Sequence, residues 1–184
     1  MKKLMIITLG TGQGVESGLA RSIVVNNPEG VIFVVTQESL RQKMPEKVEA
    51  AVKTVYHQEM PHVHAFPTVI YHEADVKEVY QATLEAIRLA QNTGYTVDEI
   101  YLDFTSGTKA MSVGAVLAAL FVGCKTMVYV GGFQRDLQTG RVISGSEVVM
   151  TFTLQDIFDI FGNYSPQKVA PDAVFRHSPK EINL

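Results

Sequence analysis

The stretch Asp103-Phe104-Thr105-Ser106-Gly107-Thr108-Lys109 decides the fold. It closes a short apolar run, residues 99–104, of the kind a buried strand presents, and it opens an apolar segment of helical length, residues 109–122. Gly107 lets the backbone approach a ligand closely and turn its N–H groups toward it. A helix N-terminus behind the turn adds partial positive charge. Thr105, Ser106 and Thr108 add hydroxyl donors, and Lys109 adds a full cation. These residue types in this order are the chemistry of a phosphate cradle.

The same arrangement opens the chain. Leu4-Met5-Ile6-Ile7-Thr8-Leu9 is an apolar run ended by Gly10-Thr11-Gly12-Gln13-Gly14, and a helical pattern over residues 16–26 follows, with Leu19, Ala20, Ile23 and Val24 on one face. The alternation then repeats. Residues 31–36 read as a second strand and residues 39–58 as a mostly helical segment with Pro45 near its start. Residues 61–67 read as a loop and residues 69–71 as a third strand. Asp75 is placed to cap a helix carrying Val76, Val79, Tyr80, Thr83, Leu84 and Ile87, which stops at Asn92-Thr93-Gly94. The fourth strand is residues 99–104, and a fifth, residues 126–130, follows the helix 109–122. Strands alternating with helices give an α/β fold, a mostly parallel sheet with helices on both faces. After Gly131-Gly132 the pattern changes: a polar stretch, residues 135–141, leads into extended residues 142–153. That reads as a C-terminal antiparallel β-hairpin closing one edge.

In such a sheet, ligands bind beyond the carboxyl ends of the strands. Both glycine-and-hydroxyl turns fall there. Neither is a standard nucleotide motif. The P-loop spacing is absent, and a dinucleotide fingerprint needs glycine where Val15 stands. Asp103 and Thr105 resemble an aspartyl-phosphate turn slightly, but no second carboxylate accompanies them.

The helix 109–122 is apolar around nearly its whole circumference, whereas a helix lying on a sheet keeps one wet face. Either a partner chain covers the extra face, most simply a second copy related by a two-fold axis, or the C-terminal segment of the same chain does.

The formal charge of −3 argues against a general nucleic-acid coat, so duplex DNA is not an expected partner. No apolar stretch is long enough to cross a bilayer as a helix, and no signal peptide is visible, so a cytoplasmic protein without a membrane partner is expected. The single cysteine, Cys124, excludes an internal disulfide framework and reads as a buried, inert thiol. His57, His62, His64 and His72 match no ligand spacing, so a solvated loop is the reading taken. No metal and no cofactor are expected.

Together the motifs carry a resemblance. Thr8-Leu9-Gly10-Thr11-Gly12, Asp103-Phe104-Thr105-Ser106-Gly107-Thr108-Lys109-Ala110-Met111, Tyr129-Val130-Gly131-Gly132, Arg135-Asp136 and Gly140-Arg141-Val142 resemble the CARF domain, the CRISPR-associated Rossmann-fold sensor of type III antiviral systems. The resemblance covers about residues 1 to 155 and departs from the common pattern at Ser106, where glycine is usual. It implies a Rossmann-like homodimer that binds a cyclic oligoadenylate, tetra- or hexa-adenylate, across its two-fold axis. By position, Gly10, Thr11, Gly12 and Gln13 would line the ligand from the first turn, and Thr105, Ser106, Gly107, Thr108 and Lys109 from the second. Gln37 and Ser39, after the second strand, are the weaker candidates. Arg135 reads as a solvated hairpin arginine.

Some CARF domains also cut their ligand, through attack of a ribose 2′-hydroxyl on the adjacent phosphate. In this chain Lys109 would stabilise the charge and Thr11 would orient it. A sensor without catalysis is the favoured reading, with a slow ring nuclease or another Rossmann-type nucleotide enzyme as the alternative. Residues 1–155 are expected to form the sensing domain. Residues 156–184 would be a short helix and a tail, too short to be an effector and leading toward an effector domain beyond the sequence.

Overall fold

The computed structural model describes residues 2–132, 134, 136–138, 143, 146–153 and 155–156. Met1–Thr153 make one compact unit. The chain runs β1 (Leu4–Leu9), α1 (Val15–Asn26), β2 (Gly30–Thr36), α2 (Gln37–Arg41), α3 (Met44–Tyr56), β3 (His62–Val63), β4 (Val69–Ile70), α4 (Val76–Asn92), β5 (Ile100–Asp103), α5 (Lys109–Val122), β6 (Thr126–Gly132) and β7 (Glu147–Thr153). A single turn of 3-10 helix, Val97–Glu99, leads into β5.

β1 and β2 are buried along their whole length because both faces of the sheet are covered. Their side chains alternate between two cores. Leu4, Ile6, Ile32 and Val34 pack with Val79, Ala86, Ile87, Met111 and Ala115 of α4 and α5. Met5, Ile7, Leu9, Phe33 and Val35 pack with Leu19, Ile23, Val48 and Val52 of α1 and α3. The period of two along each strand thus sorts one apolar run into two layers. α4 and α5 cross closely because Gly114 has no side chain: a Cβ there would stand 2.7 Å from the Val76 carbonyl oxygen. Cys124 is fully buried, and burial pushes its thiol up to about 11, consistent with an inert group.

The strand order is β3-β2-β1-β5-β6-β7, with β4 also pairing β2. All pairs are parallel except β6 with β7. The chain builds outward from β1 through β2, then returns through α4 to lay β5 on the other side of β1. The order therefore switches direction between β1 and β5, and the two glycine-and-hydroxyl turns leave the carboxyl ends of those two strands.

Residues 39–58 are mostly helical, as expected, but in two pieces: α2 and α3 are separated at Gln42 and Lys43, and Lys43 is left-handed at φ 52°. Pro45 is the cause, since a continuous helix would clash its ring with the carbonyl four residues back. Two expectations are corrected. The expected loop 61–67 contains β3, whose two residues pair with Gly30 and Val31. The third expected strand ends at Ile70 instead of Tyr71, two residues being too few to leave a period in the sequence. The antiparallel pairing of β6 with β7 is present. The turn between them at Arg135 and Gly140–Val142, and the short helix and tail expected over residues 156–184, fall, apart from Asp156, outside the described residues.

Candidate functional site: two turns at the switch point

The two turns are held against each other. The N–H of Gly10 donates to the Ser106 hydroxyl at 2.8 Å. The Thr8 hydroxyl donates to the Ser106 carbonyl at 2.5 Å. Gly10 is glycine because a Cβ there would lie 2.5 Å from the Gly107 Cα and 2.6 Å from its nitrogen. The left-handed residue of the second turn is Gly107, at φ 107°, and Ser106 keeps a negative φ. Serine at that position is therefore free of backbone strain, and its side chain ties one turn to the other.

Asp103 is fully buried beneath the turn. Its carboxylate accepts the Ser22 hydroxyl at 2.5 Å from α1 and the Thr105 N–H at 2.9 Å. Burial raises its pKa above the usual carboxylate range, and the hydrogen bonds from Ser22 and Thr105 oppose that shift without cancelling it. The Thr105 hydroxyl in turn accepts the Val130 N–H of β6 at 2.8 Å. Asp103 thus braces α1, β5, the turn and β6 from below.

Thr108 is the N-cap of α5: its hydroxyl accepts the Met111 N–H at 3.2 Å and donates to the Glu73 carbonyl at 2.8 Å. Lys109 opens α5 and is exposed. A cation in the first turn of a helix opposes the macrodipole, and α5 has no acidic residue there to compensate.

Between the turns lies a cleft of about 250 Å³ lined by residues of both. It brings together Gly10, Thr11, Gly12, Thr105, Ser106, Gly107 and Thr108 from the sequence reading, and adds Val15 and Glu73. The backbone N–H groups of Thr11, Gly12, Ser106, Gly107 and Thr108 have no acceptor among the described residues. Unbonded N–H groups on residues that line one cleft at two helix N-termini suit an anion.

The remaining candidates, Lys109 among them, stand outside that lining. Gln13 is exposed in the first turn, and Gln37 is exposed at the start of α2. Ser39 is fully buried in a capping box with Thr36, giving its N–H to the Thr36 hydroxyl at 3.0 Å and accepting the Thr36 N–H at 2.9 Å. Val15 was hidden as an ordinary first residue of α1. Glu73 had no sequence signal, because only the return of the chain through α4 brings its loop over the cleft. Among the described residues, no cluster of metal-ligating side chains is present. No described helix is long and apolar enough to cross a membrane.

No protein-family model and no curated protein sequence matches the chain. Solved structures do match its fold. Can2 from Sulfobacillus thermosulfidooxidans in complex with cyclic tetra-adenylate aligns with a TM-score of 0.51 at 13% identity, over 75% of this chain and 36% of that one. Enterococcus italicus Csm6 bound to cyclic hexa-2′-fluoro-hexa-dAMP aligns with a TM-score of 0.55 at 16% identity, over 71% of this chain and 34% of that one. The chain thus shares a Rossmann-like α/β fold with part of each of these proteins, the fold class that the sequence pattern led one to expect. The chain spans about a third of the length of each of these proteins.

Proposed function

We propose that this chain is a CARF sensor domain that binds a cyclic oligoadenylate across a homodimer and regulates an effector, attached or separate, in the cytoplasmic antiviral response of type III CRISPR systems. The observation that carries the reading is the pair of cross-linked turns, whose residues with unbonded N–H groups line one cleft at the switch point of the sheet. A phosphodiester fits such a nest; Thr11 lines the cleft, and Lys109, which opens α5 next to Thr108, would add a cation. That two proteins of this fold hold cyclic adenylates supports the choice of ligand.

The homodimer is supported by α5. Val113, Leu117, Leu120 and Phe121 are 49%, 48%, 40% and 74% exposed. They share one face of the helix at spacings of three and four residues. A second copy related by a two-fold axis would cover that face on both chains, and a ring of identical nucleotides shares the same symmetry. Calorimetry with cyclic tetra- and hexa-adenylate tests the reading. One ring bound per two chains, recovered intact, is the expected result. Linear adenylates in the recovered material would make the chain a ring nuclease. Failure of both rings to bind would remove the proposal.

A further inference from the structure

An acidic residue lines a cleft otherwise furnished with donors. Glu73 lies in the connection between β4 and α4 and lines the cleft with both turns. Its carbonyl accepts the Thr108 hydroxyl at 2.8 Å, and Thr108 is itself fixed as the cap of α5. The rest of the connection is anchored on either side. Glu78 accepts the N–H groups of Tyr71 and His72 at 2.6 and 3.1 Å, and the Asp75 N–H closes a turn on the His72 carbonyl at 2.8 Å. Glu73 is held at the cleft by its main chain, so its side chain is not what shapes the loop. No described residue hydrogen-bonds or ion-pairs with the carboxylate.

A carboxylate close to a phosphate is unfavourable, since like charges disfavour each other's ionised form. The conflict disappears when a donor of the ligand stands between them. On a nucleotide chain the donor beside the phosphate is the ribose 2′-hydroxyl, whereas the exocyclic amine of adenine lies at the far edge of the base. An acid on a ribose hydroxyl is also the pairing that parallel α/β folds use next to a bound pyrophosphate. We infer that Glu73 accepts a hydrogen bond from a ribose 2′-hydroxyl of the ligand and thereby selects ribonucleotide rings over rings that lack this donor. The inference rests on the cyclic-oligoadenylate reading and supplies its sugar specificity.

The test titrates wild-type protein and the Glu73→Ala variant with a cyclic oligoadenylate and with its 2′-fluoro counterpart. Fluorine preserves a ribose-like pucker and cannot donate. A hydrogen bond to a charged group makes the wild-type preference for the ribose ring about tenfold or more. Glu73→Ala brings the ratio of the two affinities close to one, and the variant binds the fluorinated ring at least as tightly as wild type does, because the repulsion is gone. A wild-type ratio near one, or a ratio unchanged by the substitution, overturns the role of Glu73 while leaving the ligand reading intact. Equal weakening of both rings with the ratio preserved would mean that Glu73 only shapes its loop, and it overturns the inference too. Wild-type protein that binds neither ring overturns the ligand reading and the inference together.

Discussion

The Ser106 hydroxyl accepts the Gly10 N–H across the gap between the two turns, at 2.8 Å and with both residues buried. This bond joins residues that are 96 positions apart in sequence. It fixes the separation of the two N–H-bearing walls of the cleft. Ser106→Ala leaves the Gly10 N–H in a buried place without an acceptor, which costs about 1–3 kcal/mol. Urea denaturation is expected to show that loss, together with weaker ligand binding as the walls loosen. Unchanged stability would mean that the Gly10 N–H finds another acceptor and that the bridge does not set the cleft.

Asp103 braces the turn from beneath through Ser22 and Thr105. Asp103→Asn keeps an oxygen to accept the Thr105 N–H and gives an amide that can donate to the Ser22 hydroxyl oxygen. It also removes a carboxylate that burial disfavours in its ionised form. The variant is therefore expected to fold with stability equal to wild type or higher at pH 7, and to bind ligand normally. Asp103→Ala, by contrast, orphans the Thr105 N–H and opens a void, and thermal melts should show it clearly less stable. Loss of binding in a well-folded Asp103→Asn protein would return Asp103 to the functional residues.

Lys109 separates function from stability by the sign of its effect. At the first position of α5 its charge opposes the helix dipole, so Lys109→Ala is expected to raise stability by about 0.3–1 kcal/mol. The same change removes the one full cation that the two turns contribute. Ligand affinity is expected to fall by about tenfold or more, with a weaker dependence on salt. A variant that is less stable and binds normally would show that the lysine serves the fold alone.

His64 supplies a pH dependence. Burial, and then the neighbouring charge of His62, lowers its pKa from the ordinary 6.5, and no described group partners its buried Nε2 atom. The folded state therefore prefers the neutral ring. In the unfolded chain His64 takes up its proton near the ordinary value, so stability is fully present above about pH 6.5 and is lost as the pH falls below it. Urea midpoints at pH 7.5 and pH 5.5 should differ more for wild type than for His64→Phe. Equal differences in the two proteins would place the proton uptake elsewhere.

The parts of the molecule written in local pattern were the ones legible in the sequence. α5 begins and ends at Lys109 and Val122 as its composition indicates, between the cap Thr108 and a left-handed Gly123. Asp75 caps α4 through the Lys77 N–H at 2.8 Å. Both turns were visible because glycines and hydroxyls at strand ends are local chemistry. What was not legible depends on contacts distant in sequence. The Ser106–Gly10 bridge requires β5 to lie beside β1, which only the strand order decides. Glu73 reaches the cleft for the same reason. Ser39 looked available because a hydroxyl after a strand resembles a ligand donor, yet it lies three residues beyond Thr36, and the two close a capping box.

The exposed face of α5 makes the last prediction. Leu117 is 48% exposed at the centre of a stripe with Val113 and Phe121. A charge placed there costs an isolated chain little, because the side chain already meets water. In a dimer closed through this face, Leu117→Glu sets two carboxylates against apolar surface near the two-fold axis, which is strongly unfavourable. Sedimentation equilibrium should therefore show wild-type dimers and Leu117→Glu monomers of unchanged secondary structure. Ring binding should be lost in the variant although its cleft is intact, if each chain supplies half of a site that spans the two-fold axis of the proposed dimer. A monomeric wild type that Leu117→Glu destabilises would mean that residues of the same chain cover the face, and the two-fold site would have to be abandoned.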